Sequence, residues 1–373
     1  MILLLLALVG LAFLAQQRIC RKYWNKDLTA RVTFEDTYAY EGDTSCLTEE
    51  ISNGKWLPVP ALEVRLAMDR ALKFSGEAKE NSNVTDQTYR RDIFSLSSNQ
   101  RIIRRLTFHC EKRGYFQIKK AELAGNDFLF TERYHMDQPE NTGLYVYPRP
   151  VDVRRIQLAH KAVSGMLLVQ NRLYPDPFEF AGIREYRPTD PMSHINWKAS
   201  ARNGELLVNQ HDSTTSVQVR MILDVQDNGI LKYERLTEEG IRIAASLASR
   251  LVRQNMELDI ISNGVCRLPE DASLLSMHLK PGAGQVQELL RRLACLDTSE
   301  RIENINIVIK EQSRPGGNVQ VFISHSQDEQ VIQAVRGLAE AGCQVLWIFP
   351  LSPVLEVTVP PLRGVDFMRW EVE

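Results

Sequence analysis

The spacing of apolar residues changes near residue 150, and this change most limits the folds open to the chain. Before it, short alternating segments such as 32–34 and 62–66 are separated by turn residues, which is typical of strands. Further strand candidates run over 92–97, 101–111, 115–123, 128–135 and 144–147. Closely spaced strands of this kind favour an Ig-like β-sandwich, which we place at residues 30–149.

The remainder, residues 150–373, alternates apolar segments of strand length with amphipathic segments of helix length. Strands are predicted over 217–223, 258–261, 319–324 and 344–349, and helices over 151–166, 234–254, 285–295 and 329–341. Such alternation indicates a mostly parallel sheet that is covered by helices on both faces. The predicted fold class is therefore α+β multidomain, with a β-sandwich domain followed by an α/β domain.

The start of the chain is a separate element. Residues 2–15 are unbroken apolar sequence, and as a helix they would reach about 21 Å, against about 30 Å for the hydrocarbon core of a bilayer. We interpret residues 1–19 as a single-pass membrane anchor, with Arg18 reaching to the interface. A cleaved signal peptide and a buried core helix remain open alternatives, although the positive charge that typically opens a signal peptide does not precede the run.

Charge and cysteine content bear on location and partners. Arg18, Arg21, Lys22 and Lys26 all follow the apolar run, so the positive-inside rule predicts a cell-membrane protein whose remaining chain lies in the cytoplasm. The six cysteines include no Cys-x-x-Cys pair, which fits a reducing compartment. A formal net charge of −2 gives no electrostatic reason to expect nucleic acid as a partner.

Motifs that would specify catalysis are missing from the sequence. It contains no phosphate-binding glycine loop, no dinucleotide-binding loop, no nucleophile elbow and no His-Glu-x-x-His metal motif. We therefore expect a non-enzymatic protein without a cofactor.

A charged stretch from Arg184 to Arg202 is the leading candidate site. It holds four cationic side chains and two acids around a tyrosine and a tryptophan. In a structural interpretation, Trp197 is buried at the junction of sandwich and sheet, and Asp190 pairs with Arg187 or Arg202. In a functional interpretation, the cations present a docking surface for a protein partner or an anionic ligand. The candidate site residues are Arg184, Tyr186, Arg187, Asp190, Trp197, Lys198 and Arg202.

A second candidate lies where a predicted strand ends at Asp224, because ligands of doubly wound sheets bind at the carboxyl ends of strands. The loop from Asp224 resembles the first metal loop of von Willebrand factor A domains, in which two serines follow the aspartate at alternate positions. Here Gln226 and Asn228 stand at those positions. A divalent-metal-dependent ligand-binding module or hydrolase, using magnesium or manganese, is therefore the alternative function. The simpler interpretation is that Asp224 hydrogen-bonds its own loop.

The charged stretch also carries a family resemblance. Arg184-x-Tyr186-Arg187-Pro188-Thr189-Asp190 and Ile195-Asn196-Trp197-Lys198-Ala199-Ser200-Ala201-Arg202 resemble the hallmark of the bacterial domain of unknown function 58 (DUF58) family. Thr189 stands where that family has glycine, and Asn196 where it has aspartate. The resemblance implies a membrane-anchored protein with a von Willebrand A-like domain of Rossmann type over 150–373. It also implies an adaptor or scaffold that partners a MoxR-type AAA+ ATPase in envelope or stress-related complex assembly.

Overall fold

The computed structural model describes residues 2–75, 82–84, 87–173, 180–187, 192, 195–211, 219–227, 233–298, 303–311, 319–353 and 357–372. Asp190 and Asn228, two of the candidate site residues, lie outside these ranges. The chain divides into two compact units, Met1–Arg149 and Pro150–Glu373.

The first unit begins with one long helix, α1, and continues as strands. The elements are α1 (Ile2–Tyr23), β1 (Leu28–Phe34), β2 (Tyr38–Tyr40), β3 (Thr44–Asn53), β4 (Val59–Asp69), β5 (Leu72–Phe74), β6 (Ser82–Val84), β7 (Gln87–Leu96), β8 (Gln100–Cys110), β9 (Gly114–Asn126) and β10 (Arg133–Tyr147). By length and composition, α1 is able to cross a membrane over Leu3–Tyr23, in agreement with the predicted anchor.

The strands of the first unit form two sheets that enclose an apolar core. Among the described residues, one sheet has the order β1-β3-β8-β5 and the other the order β2-β10-β9-β4-β7-β6. Alternate residues of β1 are buried, as expected when one face of a strand lies on a core. Leu47, Leu62 and Phe108 are fully buried between the strands. The predicted β-sandwich is confirmed.

The strand predicted over 128–135 is wrong in its first part, because β10 begins only at Arg133. Residues 127–132 form a loop whose base is held by the buried carboxylate of Asp127. Its Oδ1 accepts hydrogen bonds from the backbone N–H groups of Thr131 (2.6 Å) and Glu132 (3.1 Å), and its Oδ2 accepts one from the Thr131 hydroxyl (2.6 Å). Burial alone would raise the pKa of Asp127, but these hydrogen bonds hold the pKa below its ordinary value. The aspartate closes the loop where an apolar pattern alone predicts a strand.

The second unit alternates helices and strands. Its helices are α2 (Val153–Leu173), α3 (Trp197–Asn203), α4 (Glu234–Arg253), α5 (Ala283–Ala294), α6 (Ile305–Glu311) and α7 (Glu329–Glu340). Its strands are β11 (Phe180–Glu185), β12 (Leu207–His211), β13 (Val219–Leu223), β14 (Leu258–Arg267), β15 (Ala272–Leu279), β16 (Leu296–Asp297), β17 (Val319–Ile323), β18 (Gln344–Leu351) and β19 (Val365–Glu371).

The large sheet of the second unit is mostly parallel, as the alternating pattern predicts. In the described part of the chain its order is β15-β14-β13-β17-β18-β19, and β15 and the short β16 pair antiparallel with β14. Every residue of β13 and of β17 is buried, as expected of central parallel strands that are covered on both faces. The strand order reverses between β13 and β17, and doubly wound sheets bind ligands at this position.

Candidate functional site

The two halves of the charged stretch meet on one small hairpin. β11 and β12 pair antiparallel, with Arg184 opposite Val208. The chain between β11 and β12 also contacts the opposite edge of β12, where Ile195 forms a bridge with Val208 and the N–H of Asn196 donates to the carbonyl of Leu207 (2.8 Å). The stretch is therefore a self-contained local structure, separate from the large sheet in its strand pairing.

Asn196 begins α3 and links it to β12. Its Oδ1 accepts a hydrogen bond from the N–H of Ala199 (3.0 Å), which makes Asn196 the N-cap of the helix. Its Nδ2 donates to the side-chain oxygen of Asn209 (2.7 Å), a hydrogen bond that an ionised aspartate has no proton to make. Asn196 therefore contacts both the helix that it caps and the neighbouring strand β12.

Ser200 is the buried centre of this structure, and the sequence reasoning missed it. Its hydroxyl donates to the carbonyl of Asn196 (2.8 Å) and accepts from the N–H of Leu207 (2.9 Å). A single serine within a charged segment carries no sequence signal that separates it from an exposed serine. The side chain of Ser200 fixes the distance between α3 and β12.

Replacing Ser200 with alanine is expected to lower the free energy of unfolding of the second unit by about 1–2 kcal/mol, because the partly buried N–H of Leu207 loses its partner. Urea unfolding of the detergent-solubilised full chain measures the loss, and hydrogen exchange at the Leu207 amide should accelerate. Arg202→Ala, an exposed change on the same helix, is the matched control and should shift stability by no more than about 0.5 kcal/mol. Equal behaviour of the two variants would contradict the role given to Ser200.

The structure corrects the expected position of Trp197. Its side chain is 62% exposed at the first turn of α3, so it does not serve as the buried anchor predicted above. The short helix buries Ser200, whose small side chain allows close approach to β12, and the bulky indole is left on the outside. Lys198 and Arg202 on the same short helix are also exposed.

The other candidate residues are placed around the hairpin. Arg187 is exposed, whereas Arg184 and Tyr186 are half-buried. Nη1 of Arg184 donates to the carbonyl of Glu185 (3.0 Å), and the N–H of Tyr186 donates to the carbonyl of Leu206 (2.9 Å). The proposed ion pair of Asp190 falls outside the described residues.

Exposed apolar side chains accompany these cations in the second unit. Within the described residues of this segment, Ile183, Met192 and Leu206 are 45%, 68% and 46% exposed. We call the set of Ile183, Met192, Trp197, Lys198, Arg202 and Leu206 the motif surface. It combines an aromatic residue, aliphatic residues and positive charge within one short segment of chain.

Asp224 directly follows β13 at the reversal point, which is the place between β13 and β17 where the strand order of the large sheet reverses. Hydrogen-bond donors enclose its carboxylate. Oδ1 accepts from Nδ2 of Asn263 (2.6 Å), which lies in β14 just beyond the residues that pair with β13, and from the N–H of Gln226 (3.1 Å). Oδ2 accepts from the hydroxyl of Ser324, which follows β17 (2.7 Å). Burial raises the pKa of Asp224, and these hydrogen bonds only partly oppose that effect. Asp224 therefore links three neighbouring strands of the sheet, β13, β14 and β17.

The side-chain amide of Asn263 makes Asp224 a poor ligand for a metal ion. Its Oδ1 accepts from the backbone N–H of Val225 (2.9 Å), so the amide orientation is set and Nδ2 faces Asp224. Magnesium and manganese require oxygen ligands, and a cation on Asp224 would have to displace this N–H donor. Gln226 reaches Asp224 through its backbone. In the described part of this loop, which does not include Asn228, Asp224 and Gln226 do not fit the metal loop that the sequence resembles.

His325 is a buried histidine beside this site that the sequence reasoning did not select. Its Nε2 lies 3.8 Å from Oδ2 of Asp227, which is too long for a hydrogen bond. Burial lowers the pKa of His325, and the carboxylates of Asp227 and Asp224 act in the opposite direction.

Comparisons with solved structures return low similarity. A non-cellulosomal cohesin from the hyperthermophilic archaeon Archaeoglobus fulgidus is 11% identical, over 35% of this chain and 98% of its own, with a TM-score of 0.23. The sixth cohesin of scaffoldin B from Acetivibrio cellulolyticus is 10% identical, over 32% of this chain and 99% of its own, with a TM-score of 0.24. Scores this low support no conclusion. The comparison with curated proteins gave no match.

The family comparison covers the charged stretch and the reversal point together. Residues 182–345 match the family described as "Protein of unknown function DUF58", which supports the resemblance carried by the charged stretch.

Proposed function

We propose that this chain is a non-enzymatic, membrane-anchored adaptor that binds a protein partner through the motif surface. The observation that carries this proposal is the exposure of Trp197 on α3, the short helix that also carries the exposed Lys198 and Arg202. Burying an indole is worth more than burying most side chains, and tryptophan with cations is the composition of binding hot spots.

The second unit is proposed to be a von Willebrand A-like domain of Rossmann type. The reversal of strand order between β13 and β17 and the antiparallel edge strand β15 support this assignment. Asp224 occupies the place of the first metal ligand, but its oxygens are used by Asn263 and Ser324. The domain would therefore bind its partner without a metal, through the motif surface.

The partner is proposed to be a MoxR-type AAA+ ATPase, in a complex for envelope or stress-related assembly. The family resemblance supports the choice of partner, and the basic residues of the motif surface favour an acidic face on it. The cytoplasmic orientation rests on Arg18, Arg21 and Lys22, which follow the apolar run of α1. An ATPase in the cytoplasm would then be within reach of both units.

The test is retention of a purified MoxR-type AAA+ ATPase by the detergent-solubilised full chain. The double variant Trp197→Ala, Lys198→Glu should retain at least about tenfold less ATPase, since losing one hot spot has an effect of this size. Trp56→Ala is the matched control, because Trp56 in the first unit is also 62% exposed. Full retention by the double variant would contradict docking through the motif surface.

A further inference from the structure

We propose that residues 128–130 of the first unit, here called the aromatic loop, insert into the membrane beside α1. The sandwich is then held on the lipid surface at two points. The inference rests on the proposed anchoring by α1 and adds a lipid-binding element that is remote from α1 in sequence. A lipid bilayer is the one occupant assigned to this exposed apolar loop.

The final turns of α1 are joined to the base of the aromatic loop by side-chain hydrogen bonds. Nε2 of Gln16 donates to Oδ2 of Asp127 (3.3 Å), and Nε2 of Gln17 donates to the hydroxyl of Thr131 (3.3 Å). Cys20, one turn further along α1, is buried. The helix and the loop therefore lie side by side in the folded first unit.

The position of these contacts along α1 sets the depth of the aromatic loop. Gln16 is the first polar side chain after the apolar run, so it marks the level at which the helix leaves the hydrocarbon. The run of residues 2–15 covers about 21 Å, which is less than the core thickness of about 30 Å. A helix this short draws its polar end towards the bilayer, and the loop bonded to that end lies at the same level.

The aromatic loop itself has the surface of a membrane-inserting element. Phe128, Leu129 and Phe130 are 39%, 58% and 63% exposed, although they are consecutive large apolar residues. Phe130 has a φ of 57°, a backbone conformation that bulky residues rarely adopt. The fold thus keeps a phenylalanine in an unfavourable conformation at the surface, and burial in lipid would offset that cost.

Aromatic and cationic residues lie at the polar end of α1. Tyr23, in the last turn of α1, has its ring centroid 6.4 Å from that of Trp56, which is 62% exposed. The ammonium groups of Lys22 and Lys26 lie over the Tyr23 ring, at 5.3 Å and 5.9 Å from its centroid. Tryptophan and tyrosine are enriched at membrane interfaces, and lysines there attract anionic headgroups.

The opposite end of the sandwich provides an internal control. Tyr38 is 46% exposed and pairs with Tyr145 of β10. Arg133 begins β10 shortly after the aromatic loop, and Tyr145 lies twelve residues further along the same strand. At about 3.3 Å per residue, the loop end and the Tyr38 end of the sandwich are roughly 40 Å apart. An exposed aromatic residue at this end lies beyond the reach of lipid if α1 and the loop define the membrane surface.

The test places a photoreactive benzoylphenylalanine at one position of the full chain, reconstituted in vesicles of phosphatidylethanolamine and phosphatidylglycerol. The positions are Leu129 in the loop, Leu8 within α1 and Tyr38 at the far end, all exposed in the protein, so none should disturb the fold. We expect cross-linking to lipid at Leu129 and Leu8, at least about tenfold above Tyr38, since transfer of a large apolar side chain out of water favours lipid by such a ratio.

The three positions separate failure of the loop from failure of the anchor. Lipid adducts at Leu8 without adducts at Leu129 above the Tyr38 level would overturn the insertion of the aromatic loop and leave the anchor intact. An absence of lipid adducts at Leu8 would overturn the membrane anchoring itself, and the loop inference with it.

Discussion

Replacing Trp347 with alanine is expected to lower the free energy of unfolding of the second unit by about 4 kcal/mol. Trp347 lies in β18 and is fully buried. Its ring packs in edge contact against Phe322 and Phe367, with centroids 5.9 Å and 5.5 Å apart. An alanine would leave a cavity between β17, β18 and β19 that these rigid rings cannot fill.

The indole of Trp347 also connects this core to the reversal point. Its Nε1 donates to the carbonyl of Ser324 (3.1 Å), the residue whose hydroxyl binds Asp224. Trp347→Phe keeps an aromatic ring but loses this hydrogen bond, and we expect it to cost about 1–2 kcal/mol. The difference between the two variants measures the packing that the phenyl ring retains.

Urea unfolding of the detergent-solubilised chain, monitored by hydrogen exchange at the amides of β17 and β18, measures the stability lost in Trp347→Ala and in Trp347→Phe. Trp197→Ala is the matched control, because it removes a tryptophan of the same unit that is 62% exposed, and its effect should stay within about 0.5 kcal/mol. A loss below about 1 kcal/mol for Trp347→Ala would show that the core around this residue is not close-packed.

The sequence predicts the buried strands of the second unit well and its edge strands poorly. β13 and β17 are buried throughout because helices cover both faces, and apart from Arg220 and Gln320 their residues are apolar, so a mostly apolar run marks each strand. β15 and β19 lie at the edges and mix buried with exposed residues, and neither shows a clean alternation. Their pairing depends on neighbours that are distant in sequence, which a local pattern does not contain.

Local patterns also account for the success and failure within the candidate sites. Asp224 was recognisable because it ends an apolar strand. Its partners Asn263 and Ser324 lie 39 and 100 residues further along the chain, and only the sheet brings them together. For Trp197 the residue type alone gives the wrong prediction. Tryptophan is usually buried, but its position on the short α3 leaves this side chain exposed to solvent.

Alanine and asparagine at position 224 should differ in their effect on the free energy of unfolding. Asp224→Ala leaves the amide of Asn263, the hydroxyl of Ser324 and the N–H of Gln226 without their acceptor. We expect the free energy of unfolding to fall by about 3 kcal/mol, because each buried unsatisfied donor costs about 1–3 kcal/mol and removal of the buried charge offsets part of this. Asp224→Asn keeps an acceptor oxygen, so its loss should stay below about 1 kcal/mol.

The pH dependence of stability gives an independent check on Asp224. Burial raises the pKa of Asp224 above its ordinary value of 3.8. At a pH between that value and the folded pKa, the folded protein keeps a proton that the unfolded chain has released. The stabilisation from this protonation is fully present below pH 3.8 and is lost as the pH rises through the folded pKa. Asp224→Asn should remove this part of the pH dependence and leave the contributions of other groups in place.

Urea unfolding at several pH values, on the wild type and both Asp224 variants, measures these effects. Calorimetric titration of the wild type with magnesium chloride tests the alternative function, in which Asp224 binds a metal. We expect no binding heat, because N–H and O–H donors surround the carboxylate. Binding heat in the wild type that is absent from Asp224→Ala would contradict the structural role. Equal stability of the alanine and asparagine variants would contradict the hydrogen-bond network that joins β13, β14 and β17.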